Sequence, residues 1–193
     1  RDNEENAVLN LRDYSIDLWG VRGVSLSDSQ SVAIRPYGGR ITLGKNRSMR
    51  FDGIVQAGLF TIFGKGFTFS YDTFNIRLEK IDSIKIAVET GERDAYGRPV
   101  ISRIDNMLEM GSARLQIDDP GNKSGLKSLK QYPIVNSTTD SYIFYDEITD
   151  LDGMYEKEKF YFRLDPFTYT NIDHYTKEDL ALSGEFVGGG IIE

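Results

Sequence analysis

Between Phe67 and Val88 apolar and polar positions alternate almost without a break. Phe67, Phe69 and Tyr71 are interleaved with Thr68 and Ser70, then Phe74, Ile76 and Leu78 with Asn75, Arg77 and Glu79, and Ile84, Ile86 and Val88 complete the set. A period of two sends successive side chains to opposite faces of a strand, so this stretch predicts consecutive strands with one buried face. The interruptions at Pro36–Gly39, Gly44–Asn46, Gly64–Gly66 and Tyr71–Thr73 are short and turn-like. A parallel crossover through a helix needs a dozen or more residues, so antiparallel neighbours are expected and a βαβ fold is disfavoured.

Residues 91–99 form a polar, Gly- and Pro-containing break and are the best candidate for a module boundary. Beyond them, Ile101, Ile104, Met107 and Leu108 suit a helix or a bent strand, whereas Ala113, Leu115 and Ile117 alternate as a strand. Asp118–Gly121 reads as a turn, and 124–131 as a short helix capped by Ser124. Strand patterns return at Tyr142–Tyr145 and Lys159–Leu164. The expected fold class is all-β and mainly antiparallel: a stacked sheet, β-sandwich or solenoid-like module with one or two short helices. The expected division is a β module over 1–90 and a second β-rich module over 91–193.

One pattern occurs twice. Val32, Ala33, Ile34 and Arg35 open the first copy, and Phe160, Tyr161, Phe162 and Arg163 the second. A glycine follows each arginine after 18 or 21 residues, Gly53 or Gly184. Five positions further comes Gly58 or Gly189, then Leu59 and Phe60 or Ile191 and Ile192. The first two glycines are expected at bulges or close backbone approaches, the second two at turns. The second copy stops where the first runs on into its strands, so the chain reads as part of a longer β-rich array. Nineteen glycines in 193 residues also produce such spacings by coincidence.

Composition narrows the classes. Eleven Phe, eleven Tyr and nineteen Gly suit sheets and turns. A net charge of −7 argues against nucleic acid, whose phosphates demand a dense basic face. The charge is uneven: residues 12–85 hold 11 basic and 7 acidic groups, residues 86–193 hold 11 and 20. Such ends are complementary and would suit contact between modules. Without Cys there is no disulfide or thiolate metal site. No apolar run approaches the ~20 residues of a transmembrane helix.

Catalytic constellations are sparse. His174 is the single histidine and no Gly-x-Ser-x-Gly turn exists, so a triad or zinc site is disfavoured and a surface histidine expected. Gly121–Gly125 lies between a strand and the expected helix, but Asn122 precedes Lys123 and Ile117 stands where a phosphate loop needs glycine. Asp146, Asp150 and Asp152 concentrate carboxylates around Gly153 and are the candidate calcium ligands; a solvated acidic loop is the competing reading. Calcium is the one cofactor considered. Tyr142, Tyr145 and Tyr161 are the candidate ligand-contact aromatics, since exposed rings stack on sugars and anchor interfaces.

Phe51–Val55 leading into Ala57–Phe60, Phe69–Asp72, Leu115–Pro120 with Asn122–Gly125, and Leu182–Phe186 together resemble segments of large, repetitive, β-rich exported proteins of Gram-negative bacteria. The chain also resembles envelope lipid-transfer proteins that stack strands into an apolar trough. These resemblances imply an exported, periplasmic or cell-surface setting and carry over no catalytic residue. The expected function is a non-enzymatic structural or binding module of a larger cell-envelope protein, its partners being other modules of the same or another envelope protein. Two alternatives stand beside it. One is a lipid-handling β-groove in which the phenylalanines from Phe60 to Phe74 face lipid. The other is a carbohydrate-binding or glycan-processing accessory domain.

Overall fold

The computed structural model describes residues 6–144 and 160–188. Their strands are β1 (Ala7–Asn10), β2 (Ser15–Leu18), β3 (Val24–Ser27), β4 (Val32–Pro36), β5 (Ile41–Leu43), β6 (Met49–Ala57), β7 (Phe60–Ser70) and β8 (Asn75–Leu78). There follow β9 (Lys80–Arg93), β10 (Pro99–Met110), β11 (Ala113–Gln116), β12 (Ile134–Ser137), β13 (Ser141–Phe144), β14 (Phe160–Leu164), β15 (Thr168–Tyr169) and β16 (Gly184–Gly188). All strand pairs are antiparallel, and the helical elements among the described residues are single 3₁₀ turns such as Tyr37–Gly39 and Lys45–Arg47. The chain is an all-β protein.

The long hairpin β6–β7 organises the rest. Its first and last residues, Met49–Phe51 and Phe67–Ser70, pair outward with β5 and β8, while its tip, Gly53–Ala57 and Phe60–Lys65, pairs with β4 and β9. The hydrogen-bonded network therefore divides about this hairpin into two arms. The first runs β3-β4-β6-β7-β9-β10-β13-β14-β16, and the second β1-β2-β5-β6-β7-β8-β11-β12-β15. At the division Gly53 pairs with Gly64, and the register shifts beside both. A Cβ on Gly53 would strike the Arg35 carbonyl oxygen, and one on Gly64 the Lys80 carbonyl oxygen. Glycine is required here because the backbones of β4 and β9 close onto the hairpin at its corner.

Alternation then builds one core across both arms. Phe67, Phe69, Ile76, Leu78, Ile84 and Val88 are buried while Arg77 and Lys85 are exposed, as the period of two requires. Phe60 of the first arm meets Tyr169 of the second at 5.8 Å between ring centroids, edge to face.

Several expectations are corrected. Gly64–Gly66 does not break the chain but lies inside β7, where an irregularity bends it. The ambiguous stretch after residue 100 is strand β10. No helix forms over 124–131. Asn122 donates through Nδ2 to the Lys127 carbonyl and accepts the Lys127 amide N–H at its Oδ1, and Gly125 takes φ +66°; together these fold the segment into turns. The break at 91–99 is the turn of the β9–β10 hairpin, closed by Asp94, and β8 of the first proposed module pairs with β11 of the second. One core spans the 90/91 division.

The two copies of the sequence pattern share local geometry. Pro36, next after Arg35, pairs with Gly53, and Leu164, next after Arg163, pairs with Gly184. In each case the space a Cβ would fill is taken by that arginine's carbonyl. Gly58 makes the turn into β7 with φ +53°, and Gly189, Ile191 and Ile192 lie outside the described residues.

Candidate functional site

All but one of the phenylalanines expected to line an open trough are core residues. Phe60, Phe67, Phe69 and Phe74 are buried, with Phe51 against Phe67 and Phe69 against Phe74 edge to face. Phe63 points the other way and lies under Lys85, with Nζ 5.4 Å from its ring centroid. Alternation sends one set of rings inward, and both arms cover it, so the packed interior uses the apolar surface that a trough would have displayed.

An apolar cavity does exist elsewhere. It has a volume of about 300 Å³ and is walled on the first arm by Ile86, Ile104, Leu108, Ile143 and Phe162. Its other side is formed by Tyr169, Leu180 and Leu182. The strands supply the first wall because β9, β10, β13 and β14 are neighbours that each turn an apolar residue to the same side. The second wall is an irregular segment fixed by backbone bonds: the Leu59 amide donates to the Ile172 carbonyl and the Glu89 amide to the Tyr175 carbonyl. Tyr175 anchors it, 2% exposed, its ring edge-on to Phe60 and its hydroxyl donating to the Asp179 carbonyl at 2.6 Å.

Two tyrosines at this wall, Tyr169 in its lining and Tyr175 anchoring it, are strongly desolvated. Burial pushes the Tyr169 hydroxyl up to about 12 and moves Tyr175 upward as well, so both stay protonated in neutral solution. Among the described residues the Tyr169 hydroxyl has no hydrogen-bond partner. The cavity was not anticipated from the sequence. Its lining comes from five strands scattered along the sequence and a loop, and although Ile86, Ile143 and Phe162 lie in stretches that read as strands, nothing in the sequence brings them to one side.

His174 is exposed, as expected, and its Nδ1 lies 3.0 Å from Glu89 Oε1. The hydrogen bond to Glu89 raises its pKa, while burial raises that of neighbouring Asp173. This contact ties the irregular segment to β9. Gly121–Gly125 is part of the turn built on Asp118, whose buried carboxyl accepts bonds from Gln30, Asn122 and the Asp119 amide.

Tyr142 and Tyr161 are brought together on adjacent strands, ring centroids 5.8 Å apart, with Phe144 about 6 Å from each. Beside them Arg163 pairs with Glu185 across β14 and β16. Tyr145 and the candidate calcium ligands Asp146, Asp150 and Asp152 lie outside the described residues. Among the described residues no group of three His, Asp or Glu converges to hold a metal, and no helix is long and apolar enough to cross a membrane.

No protein-family model matches this chain, and no curated protein or solved structure does so.

Proposed function

We propose that this chain is a non-enzymatic binding module of a larger exported cell-envelope protein, and that its ligand is a lipid-like chain held in the cavity between the first arm and the Tyr169–Leu182 segment. The observation that carries the reading is the cavity's lining: seven aliphatic or phenyl side chains and one tyrosine, with no charged residue. Such a surface gains from contact with apolar matter and offers little to a polar substrate. At about 300 Å³ it is twice the ~150 Å³ of an engineered cavity that admits benzene, room for an alkyl chain of roughly ten carbons. The envelope setting rests on the resemblance of segments such as Phe51–Phe60 to exported β-rich proteins. The matched geometry of Gly53 and Gly184 supports an internal repeat within that setting.

Displacement of an environment-sensitive apolar dye by decanol tests the reading. Decanol is expected to compete on the wild-type chain, and Leu182→Trp, which fills the cavity from its half-buried rim, is expected to lower dye affinity at least tenfold. Equal dye affinity in Leu182→Trp, or no dye binding to the wild type, overturns the lipid assignment. Turnover of any substrate, abolished by one carboxylate substitution, overturns the non-enzymatic one.

A further inference from the structure

The outward side of the second arm carries a different arrangement, far from the apolar cavity in chemistry. Cross-strand partners there line up in one row: Asp17 with Thr42, Thr42 with Arg50, Arg50 with Thr68, Thr68 with Arg77. The row continues from Arg77 to Arg114, from Arg114 to Asn136 and from Asn136 to Thr168. These residues are exposed or half-buried, while their sequence neighbours Phe51, Phe67, Ile76, Leu115 and Val135 face the core. With strands about 4.8 Å apart, seven steps make a continuous track of roughly 34 Å that crosses the strands and follows the twist of the sheet.

Two cations stand directly opposite each other within this track. Arg77 and Arg114 are cross-strand partners, and like charges so placed destabilise a sheet instead of holding it. Glu79 lies 3.3 Å from Arg77. Arg50 and Arg114 have no carboxylate at ion-pair distance among the described residues. Lys65 adds a further cation to the 710 Å³ cleft over Arg50 and Arg77, and it too faces a like charge, Lys80. Arrangements that cost stability in the free protein and leave guanidinium forks unfilled are suited to an anionic partner.

We propose that this face binds a linear acidic polysaccharide laid along the row. Arg50, Arg77 and Arg114 offer bidentate forks for ligand carboxylates, and Thr68, Asn136 and Thr168 between and beyond them present hydroxyl and amide groups matched to sugar hydroxyls. The length and continuity of the row suit an extended chain. Duplex nucleic acid fits less well, because its closely spaced phosphates demand a uniformly basic surface and this protein is acidic overall, at −7.

The test is calorimetric titration of the intact chain with oligogalacturonate, its methyl-esterified form and a DNA duplex of equal charge. Binding of the free acid is expected, with at least tenfold loss in Arg77→Gln/Arg114→Gln and a salt dependence reduced by about two ions. Glu79→Gln, which removes the internal competitor, is expected to tighten binding several-fold. Both variants change exposed side chains, so circular dichroism should confirm an unchanged fold. No binding of the acid, equal binding of the ester, tighter binding of the duplex, or an unaltered affinity in the double variant would each overturn the proposal.

Discussion

Asp118 is fully buried, and three donors converge on its carboxyl: the Gln30 and Asn122 side-chain amides and the amide of Asp119. Its neighbour Asn122 then spends both ends of its own amide on Lys127. The sequence around it reads correctly as a turn, but the helix expected next depends on Ser124 behaving as its N-cap. Asn122 is held instead by the Asp118 carboxyl four residues back and the Lys127 backbone five residues on, and these local turn bonds outweigh a helix start at Ser124 without leaving any periodicity to reveal them. His174 shows a residue whose sequence reading holds and still omits its contact, since Glu89 is 85 positions away. Here pH dependence follows. The raised His174 pKa gives stability that is complete below its unfolded value of about 6.5 and is lost as pH rises through the folded value. Raised Asp173 acts in the same direction, favouring the fold while protonated and losing that contribution as it ionises. Lys130 acts on His174 in the opposite sense and partly offsets the two carboxylates. Chemical denaturation is therefore expected to show stability falling slightly between about pH 5.5 and 8, with His174→Gln flattening the slope; a rise over that range would contradict the arrangement.

At the scale of elements, the alternating run from Phe67 to Val88 was legible because one face of each strand is buried and the other is wet. The Gly64–Gly66 interruption was misread for a physical reason: glycine serves turns and corners alike, and only the approach of β9 distinguishes them. Gly64 lies where the Lys80 carbonyl presses onto the hairpin. Gly64→Ala is expected to cost about 1–3 kcal/mol as backbone is forced apart, measured by urea denaturation, whereas Gly97→Ala, in open space at a hairpin tip, carries only the left-handed strain of its φ of +77° and should cost about 1 kcal/mol. Equal losses at both sites would show that only backbone freedom matters. The candidate aromatics divide in the same way. Tyr142 and Tyr161 were legible as strand residues, and the antiparallel register of β13 and β14 is what places them in contact.

For the whole molecule, strand abundance and antiparallel pairing were legible, whereas the strand pairing that crosses residues 91–99 was not. A polar, Gly- and Pro-containing stretch marks a linker or a hairpin tip equally well, and the pairing of β8 with β11 across it makes it the latter. A division into independent modules would give two unfolding transitions. Because Val32, Phe60, Leu115, Val135 and Leu164 belong to one core, a single cooperative thermal transition is expected by calorimetry, moved but not split by Gly64→Ala. Two resolved transitions would restore the division.

The corner at Gly53 and Gly64 also bears on how this chain acquires its shape. Hairpin β6–β7 joins residues near in sequence and closes a short loop, so its entropic cost is low and it can form early. Among the described residues, the two arms join in the network of paired strands only through this hairpin, although β1–β2, β3–β4 and β9–β10 are local hairpins of their own. A change that disturbs the pairing of β6 with β7 therefore reaches both arms, whereas one at a hairpin further out stays within its own arm.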